Sequence, residues 1–266
     1  MAVAIAVGNV IAKGSVDAGD AAPSSISVKE TKTKTKRFAT KTKTKRSATE
    51  TVAESAVFPE ELLPVVKGDT RDMVLLRRSA YTLLYNKATR LPVWVAWHLT
   101  REHVNGQYKR EGIKFAEDED VPMPRATNMD YVNSGYDRGH MCPSGDNRWS
   151  ERAQVESFLY TNCCPQLHNL NAGDWNELES QCREWAKEYG DVYIVCGPLL
   201  LNKKHKTIGK NRVVVPEAFF KVVFHRGKDA WSKGFVYRNE VTNKKMSAYQ
   251  HSVEEVERLT GISIFH

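Results

Sequence analysis

Within forty residues the chain carries an imidazole, a carboxamide and a carboxylate. These are His140 in Tyr136-Asp137-Arg138-Gly139-His140-Met141, and Asn171 and Glu179 in Asn171-Ala172-Gly173-Asp174-Trp175-Asn176-Glu177-Leu178-Glu179. A histidine titrates near neutrality, so a neutral imidazole held in place can take a proton from water at working pH. A hard divalent cation such as Mg²⁺ prefers oxygen ligands and keeps much of its hydration shell, so one side-chain carbonyl and a nearby acid can hold it against a phosphate. His140 is therefore the candidate base, with Asn171 and Glu179 the candidate metal-side oxygens. The set suits metal-assisted cleavage of a phosphodiester.

Each residue also has a plainer reading. His140 could be a satisfied histidine, Asn171 an N-cap for the following helix, and Glu179 a solvated helix acid. Trp175 fits a core position better than a base-stacking one.

The elements that must position these groups are partly visible. Asn171, Trp175 and Glu179 recur every fourth residue, which on a helix places them on one broad face. Arg183 continues the spacing, and Gly190 after Tyr189 is a stop. Residues 80–85 and 93–100 are aromatic and β-branched runs that read as a hairpin. Further strands are expected at 192–196, 212–215, 219–224 and 234–237, giving an antiparallel sheet that carries the motif helix on one side. Residues 151–158 look helical, and Ser252 with Glu255 has capping-box spacing for a helix to Leu259. The class is α+β.

The motifs Asp137-Arg138-Gly139-His140-Met141 and Thr161 through Glu179 together resemble the DNA/RNA non-specific endonucleases of the ββα-metal (His-Me finger) superfamily, such as secreted bacterial nucleases and mitochondrial endonuclease G. The resemblance rests on N-x-x-P-Q (Asn162 to Gln166), Leu170-Asn171, G-x-W (Gly173 to Trp175) and Leu178-Glu179, in that order. It extends to residues 92–100, 195–199 and 252–261, and so covers roughly 58–266. It implies a ββα-metal element around His140 and Asn171. It also implies His140 as general base, Asn171 as the direct ligand of a hydrated Mg²⁺, and Glu179 as an acceptor for the metal's waters. Mn²⁺ or another divalent cation would substitute, and the products would carry 5′-phosphates. An arginine ahead of the motif would steady the phosphorane. Arg110 is the choice, with Lys109 and Arg125 as alternatives. Arg138 and Asp137 would shape the site or contact phosphate, and Arg148 would join in substrate binding.

The formal net charge of the 266 residues is +7. Residues 1–55 hold ten Lys and Arg against five Asp and Glu, so most of the excess lies there. Total charge therefore says little about the nuclease-like part, whose groove could still be positive through Arg110, Arg125, Arg138, Arg148 and Arg152. Residues 1–57 read as an atypical export signal followed by a disordered basic repeat. Lys32-Thr33-Lys34-Thr35-Lys36-Arg37 recurs as Lys41-Thr42-Lys43-Thr44-Lys45-Arg46, carries too little apolar surface to pack, and is either a solvated linker or a polyanion tether. Residues 58–266 would be the endonuclease domain.

Five cysteines, Cys142, Cys163, Cys164, Cys182 and Cys196, add a vote for a secreted or periplasmic enzyme. Cys142 with Cys164 and Cys182 with Cys196 are the pairings considered. A zinc site from Cys142, Cys163, Cys164 and His168 competes but lacks paired C-x-x-C spacing. No apolar run is long enough to span a membrane. The expected partners are DNA and RNA. A homodimer fits what relatives do, although the sequence gives no sign of one. Against the endonuclease stand a phosphodiesterase of the same superfamily acting on nucleotides, and a non-catalytic nucleic-acid-binding relative.

Overall fold

The computed structural model describes residues 58–241 and 244–265. The export-signal and basic-repeat expectations lie outside them.

Along the described chain run strands β1 (Val65–Val66), β2 (Met73–Arg77), β3 (Thr82–Asn86) and β4 (Leu91–Thr100), then helices α1 (Arg101–Val104) and α2 (Asn128–Tyr131). Next come β5 (Asp137–His140), α3 (Glu151–Glu156), β6 (Cys163–Gln166), α4 (Trp175–Tyr189) and β7 (Asp191–Leu199). The chain closes with β8 (Thr207–Ile208), β9 (Val213–Val214), β10 (Ala218–His225), β11 (Trp231–Arg238), β12 (Gln250–His251), α5 (Val253–Thr260) and β13 (Ile262–Ser263). Seven strands form one antiparallel sheet in the order β12-β11-β10-β7-β4-β3-β2. The expected hairpin is β3–β4, turned by the Asn86 side chain, which accepts from the Ala88 and Thr89 amides.

The period of two along β10 sorts its side chains to two cores. Phe219 and Val223 join Trp175, Leu178, Cys182 and Ala186 of α4 on one face. Ala218, Phe220, Val222 and Phe224 meet Val253 and Val256 of α5, with Phe58 and Ile264, on the other. Helix α4 buries Trp175, Leu178, Cys182 and Ala186, an amphipathic stripe, and ends at Gly190, whose φ of 95° is open to glycine. In α5 the Ser252 hydroxyl caps the Glu255 amide at 3.1 Å.

One expected strand moves. Val213 and Val214 pair with β8 in a separate two-stranded ribbon rather than entering the main sheet, because the turn at residues 209–212 folds them back on β8 and Pro216 interrupts the chain before β10. A short strand at residues 137–140, which the sequence pattern does not announce, pairs antiparallel with β6 as a second ribbon. Followed by α4, these two strands make the ββα element.

Candidate active site

The β5–β6 register sets Gly139 opposite Cys164 and His140 opposite Cys163. Glycine at 139 leaves room for buried Gln166, whose side chain would have to move to admit a Cβ there. The end of β5 is held by Asn162. Its Oδ1 accepts from the Cys142 amide at 2.9 Å, and its Nδ2 donates to the carbonyls of Cys142 (2.8 Å) and Ser157 (2.9 Å). Asn239 does the same for β6, donating to Pro165 O and Pro216 O and accepting from the Leu167 amide. Amides satisfied on both ends, Asn162 buried and Asn239 half-buried, fix a ribbon too short to hold itself.

His140 sits with its ring 5.0 Å from those of Phe115 and Phe158. Its Nε2 is buried without a hydrogen-bond partner, so Nδ1 is the nitrogen open to solvent. Burial, reinforced by the Arg110 charge, lowers its pKa to about 3, so the imidazole is neutral at working pH.

Asn171 is not a helix cap. It lies in a π-type turn, Leu170–Asp174, separated from α4 by the non-helical Gly173, and Asp174 precedes the helix without a side-chain cap bond. The fourfold spacing therefore does not run as one continuous helix, and Trp175 turns into the core while Asn171 and Glu179 line the cleft. Asp137 supplies what helix geometry does not. Its Oδ2 accepts from Asn171 Nδ2 at 2.9 Å and from His168 Nδ1 at 2.8 Å, which assigns the amide's nitrogen to Asp137 and leaves Oδ1 unengaged. Residue type and spacing alone assign His168 no such part.

His140, Asn171, Glu179, Arg110, Arg138, Arg148 and Arg183 all line one cleft of about 780 Å³. Arg110 lies over the Phe158 ring at 5.3 Å. Arg138 faces the Phe115 and Tyr131 rings, with Nε donating to Tyr160 Oη at 3.2 Å and Nη2 to Asn128 Oδ1 at 2.7 Å. Lys109 also lines the cleft. Arg125 and Arg152 do not, contrary to expectation, because their guanidinium groups are taken by Glu117 and Glu156.

Beneath Glu179 lies a buried charge cluster that the motifs do not announce. Lys221, fully buried, places Nζ 4.1 Å from the Trp175 ring centroid, and Asp146 accepts from Trp97 Nε1 and Arg183 Nη1. Burial raises the Glu179 carboxyl to about 7 against the opposing pull of Lys221 and Arg183. The signal for Lys221 is one lysine inside Phe219-Phe220-Lys221-Val222-Val223-Phe224, at a position whose strand neighbours two away face the α4 side.

Neither disulfide considered from the sequence is present, for all five cysteines are free and buried. Three of the sulfurs are engaged otherwise: Cys196 donates to Met141 O, Cys163 to Leu159 O, and Cys142 accepts from Asn147. Burial pushes the Cys182 and Cys196 thiols up to about 12. The zinc alternative also fails, since no cluster of three or more His, Cys, Asp or Glu suited to a metal occurs among the described residues.

A profile of the DNA/RNA non-specific endonucleases matches residues 60–266. The chain belongs to that family. It is 33% identical over 230 residues to the mouse (Mus musculus) mitochondrial nuclease EXOG, covering 80% of this chain and 61% of that one. It is 35% identical over 202 residues to human (Homo sapiens) mitochondrial endonuclease G, covering 71% and 68%. A crystal structure of EndoG in complex with EndoGI superposes with a TM-score of 0.69 at 34% identity, over 74% of this chain and 86% of that one. The chain spans about three fifths of the length of the EXOG nucleases it matches. The family is generally divalent-metal dependent. The secreted or periplasmic expectation is overturned, since relatives including the yeast (Saccharomyces cerevisiae) enzyme are named as mitochondrial. Among the described residues no helix is long and apolar enough to cross a membrane.

Proposed function

We propose that the chain is an Mg²⁺-dependent endonuclease that hydrolyses DNA and RNA to 5′-phosphate ends, with residues 58–266 as its catalytic domain. The reading is carried by one observation: His140, Asn171 and Glu179 line a single cleft together with Arg110, Arg138 and Arg148. The oxygen donors fit a hydrated hard cation, because Asp137 holds Asn171 Nδ2 and so presents Oδ1, and Glu179 stands in the same cleft to accept from bound water. When bound, the cation offsets charge on the phosphate and the leaving oxygen.

The chain's own residues do the rest. His140 Nδ1 takes the proton of the attacking water, its ring fixed between Phe115 and Phe158 and its backbone carbonyl accepting from Trp175 Nε1 at 3.4 Å. Arg110 and Arg138, held against aromatic faces, present guanidinium charge to the phosphate. A polynucleotide is favoured over a small phosphodiester because the cleft continues through Gly145, Arg148 and Arg183 into an adjoining depression, so a strand has a path onward past the Arg148 guanidinium.

Digestion of supercoiled plasmid and single-stranded RNA in Mg²⁺ or EDTA tests the reading. Both should be cut only with metal, and His140→Ala should lose about 10²–10⁴-fold or more in rate while folding normally. Near-wild-type activity in that variant would remove His140 as the base. The relatives' names favour a mitochondrial residence for this chain as well, and fractionation of cells expressing it would show otherwise if it stayed outside that organelle.

A further inference from the structure

Residues 203–212 contain Lys203, Lys204, Lys206, Lys210 and Arg212, all exposed. The two carboxylates that touch this stretch are occupied by other groups: Glu217 by His205 at 2.9 Å and by the Leu201 amide, and Asp130 by Asn211. None of the five cations makes an ion pair among the described residues.

The segment is fastened to the cleft wall. Lys206 Nζ donates to Tyr136 Oη at 3.3 Å and lies 4.9 Å from that ring's centroid, and Tyr136 immediately precedes the cleft residue Asp137. Asn211 donates to both Asp130 oxygens at 2.9 Å through its backbone and side chain. Gly209, with φ of 64°, packs so tightly on Asp130 that a Cβ would collide with it. Asp130 belongs to α2, whose first residue, Asn128, holds the cleft's Arg138. One four-residue helix thus joins the basic segment on one side to the cleft on the other.

We propose that residues 203–212 form a cationic flange that binds the nucleic-acid backbone away from the scissile phosphate, without reading bases. This rests on the endonuclease reading above and extends its substrate to a strand long enough to leave the cleft. Exposed, unpaired lysines on a rigid support favour a polyanion, since counterions are released with little ordering cost to the protein. The lining of the cleft itself lacks all five of these residues, so the flange should matter for long substrates only.

The test compares the unaltered chain with Lys203→Gln/Lys204→Gln/Lys210→Gln, and with Lys67→Gln/Lys87→Gln/Lys228→Gln as a control of equal charge whose positions do not line the cleft. Binding of a labelled duplex of about twenty base pairs is followed by anisotropy in EDTA across a salt series. Removing one lysine that neutralises a phosphate lowers the salt slope by about 0.9, so the flange variant should lose about 1–3 in slope and bind the duplex more weakly, while cleaving a tetranucleotide in Mg²⁺ at the unaltered rate. An unchanged slope and affinity would overturn the proposal. So would an equal effect from the control, or a loss confined to binding of phosphatidylserine vesicles. If the unaltered chain neither bound nor cut nucleic acid, the endonuclease reading itself would fail, and the flange's partner with it.

Discussion

Asp137→Ala separates the placing of Asn171, the amide proposed to hold the metal, from the chemistry. In the intact site one carboxylate oxygen receives Asn171 Nδ2 at 2.9 Å. A hydrogen bond to a charged group contributes about 1.5–3 kcal/mol, so the flipped amide, with nitrogen toward the cleft, is disfavoured by roughly 10- to 150-fold. Alanine removes that bias and leaves Asn171 without a fixed orientation. Removing partners that orient metal ligands typically costs about 10–100-fold in metal affinity or activity. The assay is the initial rate of cleavage of a labelled duplex against Mg²⁺ concentration. The midpoint should move up by about 10–100-fold, with part of the rate recovered at saturating metal. Asp137→Asn keeps an acceptor oxygen and should fall between alanine and the unaltered chain. His168→Ala controls for the second donor on the same oxygen, and because His168 is 75% exposed it should change little. A metal midpoint unmoved in Asp137→Ala, with activity retained, would refute the idea that Asp137 sets the amide.

Two further outcomes follow from burial. His103 and His140 are held neutral, with pKa values lowered to about 4 and about 3 chiefly by desolvation. Below about pH 6.5 the unfolded chain takes up protons that the folded chain does not, so stability is full above that pH and falls as pH drops toward the folded values. At about 1.4 kcal/mol per pH unit, each should cost about 2 kcal/mol at pH 5. Urea denaturation at pH 7 and pH 5 measures this, and equal stabilities would contradict the assignment. The native protein should also leave its five buried thiols unmodified by a thiol reagent until unfolded, and dithiothreitol should leave its melting temperature unchanged. A reduction-sensitive melt would restore a disulfide.

Five of the seven strands of the main sheet, β3, β4, β7, β10 and β11, were readable because their apolar, β-branched runs are bounded by turns; the edge strands β2 and β12 were not, β12 being only two residues long. The β5–β6 ribbon was not, because four residues such as Asp137-Arg138-Gly139-His140 carry no hydrophobic period. What marks it is side-chain stapling by Asn162 and Asn239, which composition does not reveal. His140, Asn171 and Glu179 could be nominated from residue type and order. The break at Gly173 and the role of Asp137 could not, since fourfold spacing reads the same whether or not the helix is interrupted. The cysteines misled through their nearness to the motifs, for proximity in sequence says nothing of sulfur geometry.

The amides that clamp the ribbon have a consequence for control. Asn162 and Asn239 neither ionise over the cellular pH range nor take part in thiol exchange, and the sulfurs beside them are sealed in the core. These clamps therefore add no acid- or redox-sensitive group of their own, and pH dependence of the cleft is left to other groups such as the Glu179 carboxyl, raised to about 7. Control of a site framed this way would fall to the cleft itself: the supply of cation, the charge on Glu179, or whatever covers it.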